Sequence, residues 1–237
     1  MNVTAHNRQA WNEESKDECD WSQPVTRDVI EHARRGDFGV RLTTRTSVPR
    51  AWFPGDLSKT DILCLASGGG QQVPVLAAAG ARVTSLDLSD EQLDKDRMVA
   101  KREGLDVRIE QGEMTDLSRF PDDSFDQIFH PASNLFVPDV NPVWRECHRV
   151  LRPGGALLSG FMNPSFYLFD HSDAAERGVL EVRYPLPYSD LTTLSDAERK
   201  RACKDRRTVE FGHTLNDLIG GQLKCGFIIT GLYEDYW

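Results

Sequence analysis

The sequence predicts an α/β fold in which a mostly parallel central sheet carries helices on both faces. Two observations lead to this prediction. Short apolar runs alternate with segments of helical period from residue 61 onward, and glycines directly follow the first of those runs. Buried parallel strands joined by crossover helices have this pattern. The 237 residues are enough for one such domain with additions.

Five apolar runs are the candidate strands of the sheet, at residues 61–66, 82–87, 106–111, 125–130 and 155–161. Between them, Ser89 and Gln92 have the spacing of a capping box, which predicts a helix that runs to about Arg102. Apolar residues recur at three- and four-residue spacing from Val140 to Leu151 and predict a second helix. The strands and helices therefore alternate as a parallel sheet requires.

The pattern changes after Met162. Residues 163–207 carry aromatic residues, prolines and charges, with one alternating run at 179–184, and we interpret them as a cap insertion over the sheet edge. A strand at 208–211, a helix that begins with Thr214 and Asp217, and a last strand at 227–233 would follow. This hairpin would close the sheet with an antiparallel strand.

The domain division follows from these segments. Residues 1–55 hold three of the five tryptophans, and we interpret them as an N-terminal helical lid. Residues 56–237 then form the main domain, which contains the cap insertion. We expect a monomer or a homodimer.

Composition excludes several classes of protein. The net charge of −9 disfavours non-specific binding to nucleic acid, and we interpret the basic run at 199–207 as a solvated helix face. Apolar runs fall short of the ~18 residues that span a membrane, and no secretory signal precedes them, so we expect a cytoplasmic protein. The five cysteines are odd in number and form no Cys-x-x-Cys pair, which argues against disulfides and a zinc site.

A small-residue loop and a carboxylate indicate a ligand site. The run Ile62–Leu65 leads into Ala66–Gly70, and Asp87 ends the next candidate strand. Such a strand, loop and helix leave backbone N–H groups unpaired at the helix start and let a ligand approach the backbone. A carboxylate about 20 residues on is placed to bind ribose hydroxyls. The pattern predicts a nucleoside-type cofactor site.

Five segments, in this order, carry a resemblance to a known family: Ile62–Gly70, Val83–Ser89, Gln111–Met114 with Leu117, Ser124–Ile128, and Arg149–Gly155. Together they resemble the class I S-adenosylmethionine-dependent methyltransferases of the small-molecule type, over residues 61–161. The resemblance implies a Rossmann-like methyltransferase fold, S-adenosylmethionine as cofactor, and methyl transfer to a small molecule by in-line displacement.

The resemblance also implies the residues that bind the cofactor: Ala66, Ser67, Gly68 and Gly70 for its methionine part, Asp87 and Leu88 for the ribose, and Glu113 and Met114 for the adenine. Two residues of the first segment depart from the family. Cys64 stands where an acidic residue is usual, and Ala66 replaces the first glycine. Glu113 is a longer carboxylate than the usual Asp. A buried thiol cannot favour a cation as a carboxylate would.

Residues after the fourth and fifth strands should line the place of methyl transfer, because ligands of such sheets bind beyond the carboxyl ends of the strands. The candidates that bind the acceptor are Trp11, Trp21, Ser133, Asn134, Asn163 and Tyr167. His130 is the candidate base, since its ordinary pKa of ~6.5 suits proton removal at neutral pH. It is also expected to border the cofactor. His171 and His213 are lesser candidates. Positioning alone can supply ~7–11 kcal/mol of the barrier, so a base is optional.

Three alternatives remain open. A nicotinamide-dependent oxidoreductase shares the sheet and the loop, but Val73 occupies the position of its third glycine. A non-catalytic S-adenosylmethionine-binding subunit would account for Cys64 and Ala66. A nucleic-acid methyltransferase is the third alternative. The acidic net charge counts against it, and so does the run Asn163–Phe166, which is similar to a motif of that class but follows the fifth strand instead of the fourth.

Overall fold

The fold was examined in a computed structural model, which describes residues 1–16 and 19–236. Its strands are β1 (Asp61–Leu65), β2 (Arg82–Asp87), β3 (Val107–Gln111), β4 (Phe125–His130), β5 (Leu151–Ser159), β6 (Tyr188–Ser189) and β7 (Phe211–Gly212). Its α-helices are α1 (Val3–Lys16), α2 (Arg27–Arg34), α3 (Gln72–Ala78), α4 (Asp90–Glu103), α5 (Asn141–Val150), α6 (His171–Arg177), α7 (Asp196–Lys204) and α8 (Gly221–Cys225). A π-helical turn, Asn216–Gly220, leads into α8.

The central sheet has five parallel strands in the order β3-β2-β1-β4-β5. Strands β2 and β3 follow β1 toward one edge of the sheet, and β4 and β5 lie on the other side of β1. Between β1 and β4 the strand order reverses, and a crevice opens there at the carboxyl ends of the strands. The predicted α/β fold is confirmed, and this topology locates the ligand crevice.

Alternate residues of β1 bury themselves on opposite faces of the sheet. Ile62 and Cys64 join a core cluster with residues of α2, α3 and α4, whereas Leu63 and Leu65 join a second cluster with residues of α5. All four side chains are fully buried. A strand with apolar residues on both sides requires a helix layer on each face. The prediction of helices on both faces is therefore confirmed.

The predicted start of α4 is confirmed in part. Ser89 Oγ accepts the N–H of Gln92 at 3.2 Å, and Gly104 ends the helix with a φ of +63°. The Gln92 side chain does not return to the Ser89 N–H, because its Nε2 donates to Ser22 Oγ at 2.6 Å. Only the Ser89 half of the capping box forms, and the Gln92 side chain instead connects α4 to the N-terminal segment.

The prediction of a closing antiparallel strand is wrong. Residues 227–236 form neither helix nor strand, and within the described part of the chain β5 ends the sheet. The segment is bound elsewhere: the Asp235 carboxylate accepts the hydroxyls of Thr43 and Thr46 at 2.7 and 2.6 Å, and Gly231 lies against the Trp52 ring. An antiparallel ladder joins β6 to β7, apart from the central sheet.

Two regions lie outside the sheet. The first contains α1, α2 and two short turns, and α1 packs along α4. The second, residues 163–207, contains α6, β6 and α7; its alternating run at 179–184 forms one isolated bridge, Phe169–Val182, and no strand. Their status as a lid and a cap insertion stays a prediction. Across the described residues, none of the helices combines the length and the apolar character needed to cross a bilayer.

Candidate active site

The loop after β1 takes a tight turn through the left-handed region of backbone conformation. Ala66 has a φ of +51°, and Gly69 and Gly70 have φ values of +117° and +75°. A residue with a Cβ costs roughly 1–2 kcal/mol in this region, whereas glycine adopts it freely. Ala66 therefore holds the position of the missing glycine in a glycine-like conformation, and the loop keeps its path.

The backbone N–H groups of this loop are already bonded within the protein. The N–H of Gly68 donates to Asp87 Oδ2 at 3.0 Å, that of Gly69 to the Gln92 carbonyl at 3.0 Å, and that of Gly70 to Asp96 Oδ1 at 2.8 Å. The expectation that these groups stay unpaired for a ligand is wrong for the three glycines. The loop is fixed by α4 and β2, and it presents a shaped surface instead of free donors.

Asp87 lies at the end of β2 and faces the crevice. Its Oδ2 accepts Gly68 N–H, and its Oδ1 accepts Ser89 N–H at 2.9 Å. Burial raises the pKa of this carboxyl, and the N–H groups of Ser89 and Gly68 counteract the rise. Each oxygen of a carboxylate can accept more than one hydrogen bond. Asp87 is therefore held rigidly and can still bind a pair of hydroxyls, with Leu88 beside it on the cleft wall.

A small pocket adjoins this carboxylate. Ala66, Leu88 and Met114 form apolar walls, and Glu113 supplies a carboxylate, whose Oε1 accepts the Thr4 hydroxyl from α1 at 3.3 Å. Apolar walls with one acceptor at the rim suit a flat aromatic base that carries an amino group. The predicted adenine residues thus lie together, and Leu88 connects them to the predicted ribose carboxylate of Asp87.

A buried carboxylate that the sequence analysis missed lies behind the loop. Asp96 of α4 accepts Gly70 N–H at Oδ1 and the Ser85 hydroxyl at Oδ2, both at 2.8 Å, and its side chain is fully buried. Burial raises its pKa to about 7. Cys64 of β1 is buried close to it, and burial strongly raises the pKa of that thiol. The sequence signal was an aspartate in the apolar stripe of α4, at the position where the helix faces the sheet.

His130 does not have the surroundings of a general base. Its side chain is fully buried at the end of β4, Nδ1 donates to the Leu65 carbonyl at 2.9 Å, and Nε2 has no hydrogen-bond partner among the described residues. Burial lowers its pKa to about 4. The ring packs edge to face against Trp144. The structure contradicts the prediction that His130 takes a proton from the acceptor, because the imidazole lies beneath the cleft wall and binds the backbone.

Four of the six predicted acceptor residues line the cleft: Trp11, Trp21, Ser133 and Asn163. The other two are turned into the protein. Asn134 is buried and donates to the Gly160 carbonyl at 2.7 Å, and Tyr167 donates its hydroxyl to Glu210 Oε2 at 3.0 Å. The prediction that these two side chains contact the acceptor is wrong, since each is hydrogen-bonded to a neighbouring segment of the protein.

The lesser histidine candidates also serve as packing groups. His213 Nε2 lies 3.0 Å from the Asn134 carbonyl, and the His171 ring stacks on Phe166 with centroids 4.0 Å apart. Within residues 1–16 and 19–236, no group of three or more potential metal ligands comes together.

Three further residues shape the acceptor side. Asn7 of α1 donates to the carbonyls of Phe136 and Val209 at 3.1 and 3.0 Å and accepts the Val209 N–H at 2.7 Å. Phe136 packs edge to face on Trp11. Glu210, next to Val209, lines the cleft with a carboxyl whose pKa is raised by burial. The sequence alone gave no signal for these contacts, because they join positions more than 100 residues apart.

Comparisons with known proteins agree with this geometry. A family described as "Methyltransferase domain" matches residues 63–159. An uncharacterized methyltransferase of Bacillus subtilis is 48% identical over 98% of this chain and 91% of its own length. A ubiquinone biosynthesis O-methyltransferase of Pseudomonas syringae is 30% identical over 48% of this chain and 50% of its own length. A crystal structure of an S-adenosylmethionine-dependent methyltransferase from Mesorhizobium loti superimposes with a TM-score of 0.56 at 23% identity, over 77% of this chain and 80% of that one, a likeness of fold.

Proposed function

This chain belongs to the class I S-adenosylmethionine-dependent methyltransferases, and we propose that its acceptor is a small molecule bound between the N-terminal segment and residues 163–212. One observation carries the proposal. The Asp87 carboxylate is anchored to Gly68 N–H, and Phe136, which Trp11 contacts edge to face, lines the small pocket of Ala66, Leu88 and Met114 beside it. A nucleoside site and an acceptor site therefore adjoin.

The residues of the cofactor side would hold an adenosine by its two ends. Asp87 would bind the ribose hydroxyls, and Glu113 would bind the adenine amino group beside the apolar surface of Ala66, Leu88 and Met114. S-adenosylmethionine, when bound, supplies a methyl group on a sulfonium. The protein's task is to hold the acceptor atom in line with that group, and such positioning supplies ~7–11 kcal/mol of the barrier.

The acceptor side is aromatic and includes the carboxylate of Glu210. Trp11, Trp21 and Phe136 offer flat apolar surface, and Glu210 is held in place by the Tyr167 hydroxyl at 3.0 Å. A partly buried carboxylate favours an acceptor that carries a hydroxyl or an amine, since such groups donate hydrogen bonds to it. The match to a ubiquinone biosynthesis O-methyltransferase supports a small, partly apolar acceptor.

Two rival functions lose their support. A nicotinamide-dependent oxidoreductase does not belong to the family that this chain matches. Binding to nucleic acid is disfavoured by the net charge of −9, and two of the basic residues of α7 are paired with carboxylates: Arg199 with Asp196, and Arg201 with Asp205. A cytoplasmic location and a monomeric or dimeric state stay predictions.

Calorimetric titration with S-adenosylmethionine, S-adenosylhomocysteine and NAD, in parallel, tests the cofactor. We expect the first two to bind and NAD to give no heat. Binding of NAD alone would contradict the assignment.

The acceptor class is tested on a panel of small phenols, quinols, amines and carboxylic acids with S-adenosylmethionine labelled in its methyl group. Label should appear in an aromatic hydroxyl or amine compound, whose O–H or N–H group can donate to Glu210. Labelling of DNA, RNA or protein instead of every small molecule would refute the proposed acceptor class, and binding without turnover on any acceptor would favour a non-catalytic subunit.

A further inference from the structure

We propose that Asp96 is a positioning residue for the cofactor: its carboxylate, by accepting the N–H of Gly70, holds the glycine loop in the shape that S-adenosylmethionine requires. The inference rests on the proposed use of this loop as the cofactor site. Asp96 itself lies behind the loop and lines no cleft, so it acts through Gly70.

The carboxylate joins three elements. Its Oδ1 accepts Gly70 N–H at 2.8 Å, its Oδ2 accepts the Ser85 hydroxyl at 2.8 Å, and its Cα belongs to α4. Gly70 is the third of three consecutive loop residues whose N–H groups are bonded to β2 or α4. Of the three acceptors, Asp87 faces the cleft and the Gln92 carbonyl belongs to the helix backbone. Asp96 is thus the side chain that sets the far end of the loop.

The loop has no freedom to compensate for a change at this point. Gly70 has a φ of +75°, and a Cβ there would lie 3.2 Å from the Lys95 carbonyl and 3.1 Å from Pro24 Cβ. α4 and the N-terminal segment enclose Gly70 from two sides. A shift of its N–H moves the whole turn, including Gly68, which borders the cleft.

An aspartate is an unusual residue for this position. A buried carboxylate without a cation in contact is costly to remove from water. Aspartate is also a poor residue for a helix interior. The neighbouring charges do not offset the cost: Asp87 repels this carboxylate, and Arg97, which attracts it, has an exposed side chain. The residue is explained by the two donors that it aligns.

The test measures the affinity for S-adenosylhomocysteine by calorimetry, with the melting temperature of each variant as a second readout. Asp96→Ala removes the acceptor of Gly70 N–H. Asp96→Asn keeps an oxygen for that donor. Ser85→Ala is the matched control, because it deletes the other hydrogen bond of the same carboxylate and leaves the bond to Gly70 intact.

We expect Asp96→Ala to bind S-adenosylhomocysteine at least 10-fold more weakly than the wild type, and Asp96→Asn and Ser85→Ala to stay within threefold, even if their melting temperatures fall. If Asp96→Ala does not fold, Asp96→Leu, which fills the volume without an acceptor, takes its place and should show the same loss.

Wild-type affinity in Asp96→Ala or Asp96→Leu, or an equal loss in Ser85→Ala, would overturn the inference. Failure of the wild-type protein to bind S-adenosylhomocysteine would instead refute the cofactor assignment, so the two failures are distinguishable.

Discussion

The N–H of Gly68 donates to the carboxylate of Asp87 across 3.0 Å, so the loop after β1 and the end of β2 form one unit. Gly68 is predicted to lie against the methionine part of the cofactor, and Asp87 to bind its ribose. Their bond fixes the distance between the loop surface and the ribose acceptor before any ligand binds. A site built in this way spends little binding free energy on ordering itself.

Replacement of Asp87 by alanine should weaken binding of S-adenosylhomocysteine about 10- to 150-fold, which corresponds to the ~1.5–3 kcal/mol of hydrogen bonds to a charged partner. The chain should remain folded. Calorimetry gives the affinity, and Asp94→Ala is the control, since Asp94 is an exposed residue of α4 that pairs with Arg97. An affinity equal to that of the wild type would move the ribose site elsewhere.

A methyl group at Gly69 should destabilise the protein more than one at Gly36, although both residues have a positive φ. A Cβ at Gly69 would lie 2.7 Å from the Trp21 carbonyl, whereas one at Gly36 meets nothing within 4 Å. We expect Gly36→Ala to lower the free energy of unfolding by about 1 kcal/mol, from backbone strain, and Gly69→Ala by about 3 kcal/mol, because overpacking adds to that strain. Urea denaturation measures the free energy of unfolding of both variants. Equal decreases would show that the backbone at Trp21 moves aside without cost.

Removal of Asn7 should loosen α1. The Asn7→Ala change deletes three hydrogen bonds to Phe136 and Val209 and leaves the buried Val209 N–H without an acceptor, at a cost of about 3 kcal/mol. Faster cleavage within the first 16 residues by a protease in limiting amount is the expected outcome. Gln9→Ala, on the exposed face of the same helix, is the control, and the protease should cleave this variant at the wild-type rate.

The depressed pKa of His130 predicts a dependence of stability on pH. An unfolded histidine binds a proton below pH ~6.5, whereas the folded protein resists one until the pH nears 4, so stability is lost as the pH falls through this window. Between pH 7 and pH 5 the wild type should lose about 2 kcal/mol relative to His130→Gln. Asp96, with its raised pKa, acts in the opposite direction in both proteins and cancels in the difference.

The same assignment is checked without a variant by the NMR signal of the His130 Cε1 proton. Its chemical shift should stay constant from pH 7.5 to pH 5. A titration midpoint near 6.5 would contradict a buried neutral imidazole and restore His130 as a base.

The sheet could be predicted from the sequence because its cause is local. The run at β1 is apolar on both faces, and Ser89 and Gly104 bound α4 through their own side chain and backbone. The cofactor residues follow from their place at strand ends. The rest depends on partners far along the chain: nothing near Asp96 in sequence shows that it meets Gly70, and nothing near Glu210 shows that it meets Tyr167.

The wrong predictions have the same origin. Residues 227–233 alternate like a strand, but strand pairing requires a free neighbouring edge and no stronger tether, and Asp235 binds the segment to Thr43 and Thr46. His130 stands at a strand end, where catalytic groups gather, but its Nδ1 finds the Leu65 carbonyl on the adjacent strand. In each case the residue types allowed the predicted role, and a tertiary contact that the sequence does not show prevented it.

The N-terminal segment touches the glycine loop directly: Val25 N–H donates to the Gly70 carbonyl at 2.9 Å, and Gln71 Nε2 donates to the Asp20 carbonyl at 2.7 Å. Lys95, beside Asp96 in α4, donates to the carbonyls of Ser15 and Ser22. Docking of the N-terminal segment through Ser15, Asp20, Ser22 and Val25 therefore depends on the same part of the structure as binding at the loop. If the bound cofactor stabilises the docked state of the segment, the docked segment must strengthen cofactor binding by the same free energy, because coupling between two sites is reciprocal.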